Sequence, residues 1–287
     1  MNNKLLIGII AMLVLGVSGY FFVKPQKVVQ SHRSYEIEVT SNTATIKPDQ
    51  KTTIKYKIKN EKGEILKNYE TAHEKIMHFI TVRKDLMYFQ HLHPAFNEAT
   101  GEFTVDITFQ TDGPYRLFPD FTPGLDNPQK LPVTVYHDVD VGNSNEYYAK
   151  SIMPDSEQTK TYGDYEITTT FPKDAKKQEE ITYSLNITKY GKPVPNLENY
   201  LGALGHSVIL KEGTLDFIHT HALEAKGSTQ QGHGTQSEHG STQTNAIGRG
   251  PKIEFAATFP EPGVYKIFTQ FQHEGKIQTV DYTVKVN

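Results

Sequence analysis

Two stretches of this 287-residue chain carry the same landmarks at the same offsets, and that duplication limits the fold more than any single motif does. His78 is followed by His91 and His93, and His206 by His219 and His221, so spacings of 13 and 15 residues recur unchanged. Phe89 corresponds to Phe217 within these segments. Around them, Tyr35, Glu36 and Ile37 match Tyr165, Glu166 and Ile167. Residues 113–121 match 263–271, with Phe109 and Phe259 at the same offset before each. Anchors this widely separated mean two copies of one folding unit, each large enough to bury a core of its own.

Short runs rich in Val, Ile, Thr, Tyr and Phe fill both copies, for example residues 35–40, 53–58 and 104–109. Their period-2 alternation, broken by Gly, Pro, Asn and Asp, is that of half-buried antiparallel strands. No long amphipathic helical pattern follows residue 24. The expected fold class is therefore all-β: two tandem immunoglobulin-like β-sandwich modules, 35–143 and 163–287. The polar, aperiodic stretch 144–162 reads as a linker. A segment rich in Gly, Ser, Thr and Gln, 222–250, interrupts the second module and contains His233 and His239. It lacks the apolar residues a core needs and reads as disordered. The first module bridges the same point with residues 94–101 alone.

The N-terminus is of another kind. Residues 5–23 form an uncharged, mostly apolar run between Lys4 and Lys24, about the length that crosses a bilayer as a helix. Residues 1–23 are expected to be a transmembrane signal-anchor and 24–34 a short polar stalk. That makes a single-pass membrane protein with its body outside the cytoplasm, a cleaved and secreted form being the alternative. The nearest cleavage-like site, Val17, Ser18 and Gly19, is followed by apolar Tyr20, Phe21, Phe22 and Val23, a poor context for cleavage. Lysines on both flanks leave orientation open.

Composition removes several function classes. The net charge is −3, without the basic excess of a nucleic-acid binder. With no Cys, there are no disulfides, thiolate metal sites, thiol nucleophiles or lipid-modified anchor. No Gly-x-Ser-x-Gly elbow, phosphate-cradling loop or paired-carboxylate arrangement is present, so a non-enzymatic role is expected.

The repeated histidines remain. Residues 76–82 read as a strand, 83–86 as a turn and 87–93 as the return strand. In the second copy the turn falls on Glu212 and Gly213, where Gly supplies the positive φ of a tight hairpin. This centring places His78 opposite His91 and His206 opposite His219. Opposed residues share a face, as do residues i and i+2, so all three imidazoles should stand on one side of each hairpin. Cross-strand Cβ atoms are about 4.5–5.5 Å apart, and i to i+2 neighbours about 6.6 Å. Ligand nitrogens about 2.0–2.1 Å from one ion lie roughly 3–3.5 Å from each other, within reach of inward-leaning rings. Three neutral imidazoles suit Zn(II), Cu(II) or Ni(II). The expected ligands are His78, His91 and His93 in one module and His206, His219 and His221 in the other, with copper or zinc as the ion. Asp120 and His273 are added as further ligands from the strand ends that follow; Gln270 matches Asp120 in position, and His73, Glu74 and Met77 offer other donors. The competing readings are cross-strand histidine pairs with a structural role and a pH sensor, since clustered imidazoles titrate near pH 6.5. Tyr115, Phe118 and Phe121, repeated as Tyr265, Phe268 and Phe271, read as mixed core and rim packing, with a carbohydrate-stacking platform as the other possibility. His32 and His137 receive no role.

The stretch 73–123, with Met77-His78-Phe79, Phe89-Gln90-His91-Leu92-His93-Pro94 and residues 115–123, resembles a family of exported bacterial proteins known only as secreted or heavy-metal-associated. The second module is similar to that family's companion domain through residues 200–206, 217–221 and 268–273. The resemblance implies an envelope location and a metal, copper first, and supplies no established activity. The insertion 222–250 departs from the family's compact pattern. The functional expectation is a membrane-anchored, extracytoplasmic protein that buffers, senses or hands over a metal ion. Its partners would be the ion, the membrane through the N-terminal helix, and another envelope protein; nucleic acid is not among them. The rivals are a non-catalytic adhesion or interaction module with structural histidines, and a copper redox enzyme, which would need an open coordination position.

Overall fold

A computed structural model describes residues 21–30, 33–124, 130–144, 151–223 and 249–287. Residues 1–20 of the expected membrane segment, 145–150 of the expected linker and 224–248 of the expected insertion lie outside the described residues. Among the described residues no helix is long and apolar enough to cross a membrane.

The chain is all-β. The first copy runs through β1 (Phe21–Gln30), β2 (Arg33–Ser41), β3 (Lys51–Lys59), β4 (Tyr69–Glu70), β5 (His78–Arg83) and β6 (Phe89–Leu92). It continues through β7 (Ala95–Asn97), β8 (Glu102–Thr108), β9 (Gly113–Pro123), β10 (Val133–Thr134) and β11 (His137–Val141). The second copy has β12 (Thr159–Tyr162), β13 (Tyr165–Thr170), β14 (Glu180–Lys189), β15 (Lys192–Pro193) and β16 (His206–Lys211). It closes with β17 (Phe217–His221), β18 (Lys252–Thr258), β19 (Gly263–His273) and β20 (Lys276–Val286). β1 and β12 thus occupy parts of the stretches that the sequence assigns to the N-terminal segment and the linker.

Each copy is a two-sheet sandwich of antiparallel strands. In the first, the sheet β1-β2-β3-β8-β7 faces β10-β9-β5-β6, and β4 and β11 also pair with β9. In the second, β12-β13-β14-β15 with β18 on β14 faces β17-β16-β19-β20. β3 shows the half-buried alternation: Thr52, Ile54, Tyr56 and Ile58 point inward between less buried Lys and Thr. Tyr56 stacks on both Phe79 and Phe103 in the first core, and Tyr183 stacks on Phe255 in the second.

β5 and β16 break the alternation because both of their faces are covered. Phe79 points into its own sandwich, while Ile80 and Val82 belong to a third apolar cluster with Leu86, Phe118 and Ile152. From the second module, Val208, Leu210, Leu215 and Phe268 join the same cluster. A strand buried on both faces reads as a continuous apolar run, as 79–82 and 208–210 do. The two hairpin-bearing sheets therefore pack on each other. The seam is reciprocal: Phe89 stacks on Phe268 at 4.4 Å between ring centroids, and Phe217, the repeat of Phe89, lies 5.1 Å from Phe118, the repeat of Phe268. Matched contacts in both directions define an approximate twofold between the modules. Each buried Phe or Leu there contributes roughly 1.5–3 kcal/mol.

The hairpin register differs from the expected one by two residues. His206 pairs with His221, and Val208 with His219. In the first module Ile80 pairs with His91 and Phe79 with Leu92, which sets His93 across from His78. The turns are centred one residue further along, with Lys211 bonded to Asp216 and Arg83 to Tyr88. A shift of two keeps every side chain on its face, whereas a shift of one would have reversed them all.

Candidate metal centre

The histidines occupy the seam face of each hairpin, next to the third apolar cluster. Alternation along β5 and β16 makes this unavoidable, since His78 shares a face with Ile80 and His206 with Val208. His78 and His206 are buried at 4% and 2% exposure, and the other four are half-buried. Within each triad, one ligand atom per imidazole can be chosen so that all three lie within 4.8 Å of one another. Because the modules face each other, the two triads are neighbours: His78 and His219 are 5.3 Å apart between ring centroids, and His91 and His219 6.2 Å.

The hydrogen bonds determine which nitrogens are available. His78 donates from Nε2 to Ala72 O at 3.1 Å, and His206 donates from Nε2 to Tyr200 O at 2.9 Å. His91 donates from Nδ1 to Gln270 Oε1 at 2.8 Å, and His219 donates from Nδ1 to Asp120 Oδ2 at 2.9 Å. The lone pairs left over are then Nδ1 of His78 and His206, and Nε2 of His91 and His219. Nε2 of His93, His219 and His221 and Nδ1 of His206 are buried with no hydrogen-bond partner. His78 Nδ1 and His91 Nε2 face each other across 3.0 Å. With both outer N–H groups already engaged, that pair has no proton to share. Two lone pairs at this separation match the spacing of two ligands on one ion at about 2.0–2.1 Å. Outer N–H groups fixed by carbonyl, amide or carboxylate oxygens are the usual support of metal-binding imidazoles.

Burial and the neighbouring rings keep His78, His91, His93, His206 and His221 uncharged. Desolvation first, then adjacent histidines, hold His78 and His93 down at about 4, His206 at about 3 and His221 at about 2. The same causes hold His91 well below 6.5. Neutral imidazoles have no proton to give up before binding a cation. A cleft of about 380 Å³, lined by His73, Lys75, His78, Asp120, His219 and His221 among others, leads to the rings.

The two added ligands are placed otherwise than expected. Asp120 does not complete its own module's triad; its carboxylate crosses the seam to His219 and accepts a second bond from Thr134 Oγ1 at 2.9 Å. Gln270 does the same in the opposite direction, accepting from His91 while donating through Nε2 to Thr279 Oγ1 at 3.0 Å. His273 does not join the centre. It falls three residues after Gln270 on β19, hence on the opposite face, where its Nδ1 bonds Tyr165 OH at 2.8 Å. His73 lies beside the second triad without being one of its converging ligands: its ring stacks on His221 at 3.5 Å and lies 5.4 Å from His206. Gln270 and His73 were visible in the sequence as donors, but no local signal aimed them across a seam between modules. Glu74 does not belong to either group of converging ligand atoms, and Met77 is buried in the first module's core.

An all-β duplication with two buried imidazole triads at the junction of its halves is the class that the fold and the centre define. The chain belongs to the family described as Domain of unknown function (DUF8832), whose model matches residues 30–139 and again 159–287. No curated protein matches the chain. Among solved structures it is similar to FdeC, an Escherichia coli adhesin, at 13% identity and TM-score 0.27, covering 86% of this chain and 63% of that one. It is also similar to Escherichia coli alpha-2-macroglobulin activated by porcine elastase, at 12% identity and TM-score 0.25, covering 88% and 20%. Domains 5–6 of the S-layer protein SbsC match at 12% identity and TM-score 0.23, covering 91% and 100%. The chain thus spans less than two thirds of the adhesin and a fifth of the macroglobulin. Likenesses this distant bear on neither the centre nor the activity.

Proposed function

We propose that this protein is a metal-binding protein of the cell envelope, tethered by its N-terminal apolar segment. Its two immunoglobulin-like modules each supply one three-histidine site for a copper or zinc ion. The role is binding, as a buffer, a sensor or a donor to another envelope protein, rather than catalysis. The observation that supports this most is the facing pair His78 Nδ1 and His91 Nε2, 3.0 Å apart with both outer nitrogens already hydrogen-bonded. Imidazole ligands without thiolates fit Cu(II) and Zn(II) alike, and the sequence resemblance favours copper.

Calorimetric titration of the full chain with Cu(II) and with Zn(II) tests the reading. The wild type should take up two equivalents at the centre, and a variant with His91→Ala and His93→Ala should lose one. Unchanged stoichiometry would end the proposal for the first module.

A second reading has its own support. The bonds from His91 to Gln270 and from His219 to Asp120 join the modules without any ion, as the histidines of an adhesion or interaction module would. In that case neither metal binds at the centre, and the same substitutions only weaken the seam.

A further inference from the structure

The two triads descend from one sequence, yet what surrounds them is not the same, and the differences all favour one side. The supports of the first triad are neutral: His91 rests on the Gln270 amide. The equivalent ring of the second triad, His219, rests on the Asp120 carboxylate, which the opposite module supplies. A carboxylate accepting from the outer N–H makes a metal-binding imidazole more basic than an amide does.

The second difference is His73. It stands in a tight turn, at φ 49°, in which Ala72 and Lys75 bond each other; the repeat of that turn is closed by Tyr200 and Ala203. Ala72 and Tyr200 are the matching acceptors of His78 and His206. The counterpart of His73 is therefore Leu201, at φ 52° and buried, with no donor to offer. The twofold carries the turn of the first module to the triad of the second. The centroid of His73 lies 3.5 Å from that of His221 and 5.4 Å from that of His206, while the three rings of that triad are 4.6–5.9 Å from one another. Its ring is stacked on His221 at an interplanar angle of 23°, so it turns out of that stack to bring a nitrogen to the same point. His73 also lines the cleft beside the rings.

Resting on the metal reading above, we infer that the second-module site is a four-imidazole site. His206, His219 and His221 are completed by His73 from the first module, with Asp120 as a positioning residue behind His219. The first-module site keeps three imidazoles and an open position. Closed four-coordinate sites hold an ion structurally, while an open position leaves room for water or an incoming ligand. The second site fills first and ties the modules together; the first exchanges its ion. This division suits a donor or sensor, because one ion holds the seam in place and the other is free to be passed on.

The test is a titration of the full chain with Zn(II), and with Co(II) as its coloured substitute, in a background with His233→Ala and His239→Ala to remove insertion ligands. The reference chain should bind two equivalents at separated affinities, the first giving the intense visible absorption of tetrahedral Co(II). His73→Leu installs the residue the repeat already uses at this φ, and His73→Asn is a second choice that tolerates the left-handed region. Either should weaken the first equivalent about 10–100-fold, shift its visible Co(II) absorption as water replaces one imidazole, and leave the other equivalent as it was. Asp120→Gln, which copies the opposite side, should weaken the same equivalent by a smaller factor and leave the absorption in place. Leu201→His should shift the visible Co(II) absorption of the other equivalent toward that of the first. If both His73 variants retain the first affinity and its absorption, or weaken the two equivalents equally, the inference is overturned while the metal reading stands. If the reference chain binds neither ion at the centre, the metal reading falls and this inference with it.

Discussion

The two triads present matching nitrogens on equivalent hairpins and differ in what surrounds them. His91 leans on Gln270, which passes the contact to Thr279; His219 leans on Asp120, which passes it to Thr134. The relay has one geometry and two charge states. His73 adds a ring beside the second triad, where Leu201 is its counterpart in the repeat. Duplication kept the ligands and allowed their supports to diverge. Because the modules face each other, a change in one module alters the site of the other.

Acid should have the largest effect on this comparison. His78, His91, His93, His206 and His221 are neutral in the folded chain, but in the unfolded chain they take up a proton below about pH 6.5. The unfolded state then binds more protons, so stability falls as the pH drops through 6.5 toward the depressed values. Metal-free protein should lose on the order of several kcal/mol between pH 6.5 and pH 4. Urea midpoints measured in chelator across that range would show it, and a flat profile would mean the rings are not buried together.

The apolar half of the seam should show no such inequality. Phe118→Ala and Phe268→Ala each remove a buried ring at twofold-related places, at a cost of about 3–5 kcal/mol apiece. Equilibrium unfolding should give values within about 1 kcal/mol of each other. A gap much wider than that would break the twofold.

The polar half should be unequal. His219→Ala leaves the Asp120 carboxylate, 7% exposed, without its cross-seam donor, and should cost about 3 kcal/mol in metal-free protein. His91→Ala leaves only the Gln270 amide short of a partner and should cost about 1 kcal/mol. Equal losses in the unfolding curves would show that the charge on Asp120 does not matter. The smallest effect lies one step further out. Thr134→Val should cost about 1.5 kcal/mol and Thr279→Val about 0.5 kcal/mol, because a bond to a charged acceptor is the stronger.

Much of this was legible in the residues. The duplication, the all-β class and the grouping of three histidines on one face of each hairpin follow from offsets and from period-2 alternation. The hairpin register lies two residues from the expected one, because turn length is set by loop bonds such as Lys211 to Asp216 that composition does not reveal. The grouping withstood the error because two is the period of a strand. The seam was not read from the sequence, although traces of it are there. Residues 79–82 are too apolar for a strand with one wet face, and Phe118 lies three residues from Tyr115 and from Phe121, so it must point the other way. Nothing local says what covers that second face. Asp120 therefore looked like a ligand for its own module, His273 looked near enough to help, and His73 had no target.

The central claim is that ions bind between the rings of each triad, and anomalous diffraction from crystals of the zinc-loaded chain, collected at the zinc edge, tests it directly. The account predicts two peaks. One should lie about 2.0–2.1 Å from Nδ1 of His78 and Nε2 of His91 and His93, the other at the same distance from Nδ1 of His206 and Nε2 of His219 and His221. Zinc found only at other histidines, with both triads still holding their lone pairs face to face, would contradict it.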